Sequence, residues 1–96
     1  MEFRWIDWNT DKVESHGVTP EEAEEVVRTA RPPFLRSFRD GRFFVWEPTS
    51  AGRLLQVIYV LDDEPEDDET VFVIHARPLT WPETRRYRRS FRRHHR

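Results

Sequence analysis

The 96-residue chain contains no cysteine. That excludes a disulfide framework, a thiolate-ligated zinc and a thiol nucleophile. Its three glycines, Gly17, Gly41 and Gly52, are scattered, so no glycine-rich loop is available to cradle a phosphate. The four histidines lack zinc-binding spacing, and neither an HExxH pair nor an Asp-rich calcium loop occurs. No metal and no cofactor are therefore expected. Long hydrophobic runs are missing too: stretches such as Val57 to Leu61 are far too short to span a bilayer. The opening MEFRWID lacks the basic segment and apolar stretch of a signal peptide. These absences predict a soluble, cytoplasmic protein with no membrane partner. Lysine is nearly missing, with Lys12 alone beside 15 arginines.

What is present suits a single small domain over residues 1–96: 36% hydrophobic and 35% charged residues. The net charge of -2 conceals a division. Residues 1–76 hold 17 acids and 8 Lys/Arg, a formal -9, whereas residues 77–96 hold Glu83 and 8 arginines, a formal +7. Such a change of sign fits an anionic partner for the basic end, or a basic end that merely balances the acidic body.

The stretch MEFRWI reads as a short strand with Phe3 and Trp5 on one face. NTDKVESHG reads as a short helix capped by Asn9 or Thr10 and ended by Gly17. In TPEEAEEVVRTA, Thr19 at N-cap, Pro20 at N1 and Glu22 at N3 form a capping box. Ala23, Val26, Val27 and Ala30 then follow the spacing of one buried helical face, and Pro32-Pro33 stops the helix. Strands are expected over residues 34–38, 42–47, 53–61 and 71–77, with a tight Asp40-Gly41 hairpin and an acidic loop, DDEPEDDE, before the last. Thr80 and Glu83 repeat the capping-box spacing, so TWPETRRYRRSFRR should be helical, its basic end, residues 88–96, fraying into a tail. The order predicts an α+β domain: a small antiparallel β-sheet packed against two N-terminal helices, with a C-terminal Arg-rich helix.

Alternation along the last strand puts Val71, Val73, His75 and Arg77 on one face and the apolar Phe72, Ile74 and Ala76 on the other, which should face the core. His75 and Arg77 would then share the open side, roughly 7 Å apart. They could transfer a proton beside a phosphate, or be a surface histidine and an ion-paired arginine. In the last helix, Arg85, Arg86, Arg88, Arg89, Arg92 and Arg93 interleave with Tyr87 and Phe91. This pattern fits an RNA surface of guanidiniums and stacking rings, or a solvated helix with two inward aromatics.

Three stretches together resemble a known family. FRWIDWNTDKVESHGVTPEEAEEVV is similar to the opening of the BrnT-like toxins, with His16, Gly17, Val18, Thr19, Glu21 and Glu22 matching. GRFFVWEPTSAGRLLQVIYVLDD looks like the family's G-R-x-x-V-x-G followed by G-R-x-L-x-V-V-Y. VIHARPLTWPETRRYRR is similar to I-x-A-R-x-x-T-x-x-E-R-x-x-Y, with Ala76, Arg77, Thr80, Glu83 and Tyr87 in register. The resemblance spans nearly the whole chain. It implies a RelE-like fold, a type II toxin that cleaves RNA without metal, and a cognate DNA-binding antitoxin, of ribbon-helix-helix type, in a dimer or higher toxin–antitoxin assembly. It maps the family's active-site positions to Arg77 and Glu83, joined by Tyr87 and the helix arginines, with Arg85, Arg86, Tyr87 and Arg89 on the RNA; the strand alternation adds His75, and His75 or Glu83 would serve as acid or base. The chain departs from the pattern at Thr84, where the family has Arg, at His75, where it has a small polar residue, and at Glu47-Pro48, where it has Gly. Two readings follow: a site rebuilt around His75, or a non-catalytic relative that binds RNA or a partner protein through its basic helix.

Overall fold

The structure, a computed structural model, describes residues 1–30, 36–62 and 70–94. Strand β1 (Glu2–Phe3) leads into α1 (Asp7–Glu14) and α2 (Pro20–Thr29). Strands β2 (Arg36–Arg39), β3 (Arg42–Pro48), β4 (Leu54–Asp62) and β5 (Thr70–Pro78) precede α3 (Trp81–His94). The expected α+β class is what forms. The sheet is mixed rather than wholly antiparallel: β2 to β5 make an antiparallel meander, and β1 pairs parallel to β5, giving the order β1-β5-β4-β3-β2. The predicted start of β2 at Phe34, the Pro32-Pro33 stop and the acidic loop beyond Asp62 lie outside the described residues. Helix α3 spans the stretch expected to be helical and runs to His94.

Local chemistry explains most element ends. At α2 the capping box closes in both directions: Thr19 Oγ1 accepts from the Glu22 amide at 3.1 Å, and Glu22 accepts from the Thr19 amide at 3.0 Å. Glu22 also receives Arg53 Nη1 on both carboxylate oxygens at 3.0 and 2.9 Å, tying the start of α2 to the β3–β4 turn. Helix α1 is capped differently from expectation. Ile6 holds the N-cap position, and Asn9 lies at N3, its Oδ1 accepting from the Ile6 amide at 2.7 Å. The helix closes at Gly17 (φ +76), where bonds from the Gly17 amide to Glu14 and from the Val18 amide to Val13 complete a Schellman pattern. Asp40 and Gly41, both at positive φ (53 and 75), make the β2–β3 turn.

Asn9 does a second task. The β1 ladder ends after Phe3, yet the carbonyls of β5 still point toward that edge. Val71 O accepts from the Arg4 amide at 2.9 Å, and Val73 O accepts from Asn9 Nδ2 at 3.1 Å. A fully buried amide thus replaces a missing strand, satisfying groups that would otherwise be costly to bury.

Helix α2 covers one sheet face over β3 and β4, whereas α1, expected beside it on that face, packs along the edge of β5: Val13 enters the core, while Trp8 stacks on Phe72 of the opposite face. The core consists of Val13, Val18, Ala23, Val26 and Val27 from the helical half, and Val45, Leu55, Val57, Tyr59, Val71, Val73 and Ala76 from the sheet. Valine suits both halves, being stiff, compact and favourable in strands. Each such side chain contributes about 1.5–3 kcal/mol when fully buried.

The last strand departs from the simple alternation. Val71 and Val73 are fully buried and so belong to the core, where Phe72 and Ile74 had been expected. Ile58 pairs with His75 while Tyr59 pairs with Val73, so Ile74 is the extra residue of a β-bulge. The bulge shifts the phase: Ala76 returns to the core, and His75 and Arg77 occupy the opposite face with Phe72, Gln56 and Ile58.

Candidate functional site

The site is assembled where β5 runs into α3. The Arg77 guanidinium donates to both carboxylate oxygens of Glu83, from Nη1 at 2.7 Å and Nη2 at 2.8 Å, and Nη1 also reaches the Pro78 carbonyl at 3.1 Å. Both side chains are largely covered, with 27% and 20% exposure. Glu83 simultaneously closes the cap of α3, accepting from the Thr80 amide at 2.9 Å while Thr80 Oγ1 accepts from the Glu83 amide at 3.3 Å. Arg77 foremost, then the Thr80 bonds, outweigh desolvation and hold the Glu83 carboxyl down at about 2. Glu83 therefore stays ionised at neutral pH and is a poor proton acceptor. It orients Arg77, where the sequence had left open a role as acid or base. Thr84 is turned back to the Thr80 carbonyl at 2.9 Å and offers no substitute for the arginine the family carries there.

His75 lies two residues before Arg77 on the same face. Burial first, then the nearby His16, Arg77 and Lys12, lower its pKa below the usual histidine value. At neutral pH its imidazole is uncharged and able to accept a proton. The His16 ring meets it edge-on, with centroids 4.8 Å apart. His16 follows α1 and is far from His75 in sequence; only its place in the H-G-V stretch had drawn attention to it.

The helix arginines separate into two groups. Arg86 lies over the Trp46 ring at 5.4 Å, and Trp46 Nε1 donates to Gln56 at 2.9 Å on the same open face. Arg85 and Arg89 line a cleft on the outer side of α3 together with Arg88 and Trp81. Tyr87, proposed from sequence to contact RNA, is instead turned inward. It is 6% exposed, and its hydroxyl donates to Glu47 Oε1 at 2.9 Å. Burial and the Glu47 carboxylate push the Tyr87 pKa upward, so it serves as an anchor and not a base platform. Glu47 is also 6% exposed, and its Oε2 has no hydrogen-bond partner. Desolvation, opposed by the Tyr87 bond, raises its pKa. Of the seven residues singled out from sequence, His75, Arg77 and Glu83 gather at the strand–helix junction, Arg85 and Arg89 at the outer cleft, Arg86 at Trp46, and Tyr87 in the interior.

Among the described residues, no group of three or more His, Cys, Asp or Glu is placed to hold a metal ion, and no helix is long and apolar enough to cross a membrane. Compared with known proteins, the chain matches no family model and no curated protein.

Proposed function

We propose that this chain is a metal-independent endoribonuclease of the BrnT-like, RelE-like kind, the toxin of a type II toxin–antitoxin pair acting in the cytoplasm. Its partners on this reading are RNA and a DNA-binding antitoxin of ribbon-helix-helix type. The observation that carries the proposal is the convergence of a neutral His75, its neighbour His16 and an Arg77 held in place by Glu83.

RNA cleavage without metal needs three services: removal of a proton from the 2′-hydroxyl, neutralisation of charge on the phosphoryl oxygens, and return of a proton to the leaving 5′-oxygen. His75 takes the first proton as the O2′–P bond forms. Arg77 faces the phosphate; one preorganised donor of this kind contributes about 3–4 kcal/mol. A proton returns to the 5′-oxygen as the P–O5′ bond breaks, leaving a 2′,3′-cyclic phosphate and a 5′-hydroxyl; His16, the other imidazole at the site, is the proposed donor. Each proton-transfer group adds roughly 10²–10⁴-fold. Arg85, Arg86 and Arg89 supply further positive charge for the RNA backbone.

The test is RNA cleavage in excess chelator, with cyclic-phosphate ends identified by mass. Arg77→Ala should lower kcat by about 10²–10³-fold. Strict magnesium dependence rejects the mechanism, and growth arrest that survives the Arg77 substitution on expression in a bacterium rejects the site. One observation favours a second reading, a non-catalytic module binding RNA or a partner protein: Glu83 occupies both terminal nitrogens of Arg77. Salt-sensitive RNA binding with neither cleavage nor toxicity would select it.

A further inference from the structure

The outer side of α3 carries a feature that the strand–helix junction does not use. Trp81, Arg85, Arg88 and Arg89 lie at helical spacings of four, seven and eight residues, which puts them on one face. Tyr87 faces the other way, into the protein. Together the four line a cleft of about 350 Å³, at the lower end of the roughly 300–1,000 Å³ range of small-ligand sites. Trp81 is 64% exposed, although tryptophan is highly buried on average. The Arg88 guanidinium sits over its ring at 6.0 Å from the centroid, so the ring already accepts a flat, cationic neighbour.

We propose that this cleft is a nucleotide subsite that stacks one unpaired RNA base on Trp81 and holds the adjoining phosphates on Arg85, Arg88 and Arg89. The inference rests on the ribonuclease reading and extends it: Trp81 of the cleft and Glu83, which orients Arg77, both stand in the first turn of α3. Arginine meets phosphate with two parallel hydrogen bonds, and every base has a face to stack on an indole. An acidic peptide would satisfy the guanidiniums but leave the indole without a matching flat group, which is why the arrangement favours nucleic acid. The predicted preference is for single-stranded RNA with little dependence on base identity.

The experiment uses the full chain and a fluorescently labelled 2′-O-methyl oligouridylate, which cannot be cleaved through its 2′-oxygen, so binding is read apart from cleavage. Trp81→Ala should weaken binding by about ten- to hundredfold, while Trp81→Phe, which keeps a stacking ring, retains most of it. Arg88→Gln should reduce the slope of log affinity against log salt by about 0.7. Thermal melting of each variant shows whether the fold is kept. If Trp81→Ala and Trp81→Phe bind like the parent, or if poly-glutamate competes for the cleft and the oligouridylate does not bind, the subsite is refuted. Cleavage-competent protein with Trp81-independent binding removes the subsite and spares the ribonuclease reading. Trp81-dependent binding by a protein that never cleaves RNA keeps the subsite and removes the catalytic reading.

Discussion

The Arg77–Glu83 pair makes a stability prediction that needs no substrate. The Glu83 carboxyl titrates near 2 in the folded protein against an ordinary value of 4.5. A lowered carboxyl pKa contributes stability above the unfolded value, and that contribution is lost as pH falls through the folded one. At about 1.4 kcal/mol per pH unit the shift corresponds to about 3 kcal/mol at neutral pH. Both side chains keep some solvent contact, 27% and 20%, and screening lowers the expected value to about 1–3 kcal/mol. The perturbation is Glu83→Gln, which keeps shape and removes charge. Urea unfolding of parent and variant at pH 7 should differ by that amount. The difference should fall to less than half by pH 3, to about a tenth near pH 2, and vanish below that. A gap that stays constant between pH 7 and pH 2.5, or no gap at pH 7, would refute the electrostatic origin assigned to it.

Two more substitutions probe the supports of the site. Tyr87→Phe strands the buried Glu47 carboxyl, and should cost about 1–3 kcal/mol in urea unfolding; adding Glu47→Leu to that variant should recover part of the loss, and an equal or larger loss would contradict the account. Asn9→Ala removes the amide that bonds Ile6, Arg4 and Val73. It should cost about 2–4 kcal/mol and speed hydrogen exchange near Val73, whereas unchanged exchange there would show that the β5 edge does not depend on it.

Sequence patterns anticipated what is governed by near neighbours. The Thr19–Glu22 and Thr80–Glu83 boxes, the Gly17 helix end and the Asp40-Gly41 turn each need only a few consecutive residues, and all four form. The misses come from longer range. Asn9 was expected to cap α1 by position; it acts from N3 because β5 offers it a carbonyl. The core face of β5 was misassigned because an extra residue in a strand leaves no mark in the pattern of apolar residues. His16 and His75 meet only through the packing of α1 beside β5. The sequence pattern favours Tyr87 and Phe91, the aromatics embedded among arginines, over Trp81. Yet Tyr87 is the one the interior claims and Trp81 the one left outside.

The bulge at Ile74 has a consequence for how this protein could vary. Strand β5 counts in twos on either side of it, and one additional residue sets the two halves out of step. His75 and Arg77 owe their outward direction to that count more than to their own chemistry. Loss of a single codon at Ile74 would leave every functional side chain in the sequence, yet turn the histidine and arginine toward the valine core and Ala76 toward solvent. The position most sensitive to deletion is thus a residue with no chemistry of its own, where exchange for another β-branched side chain changes little.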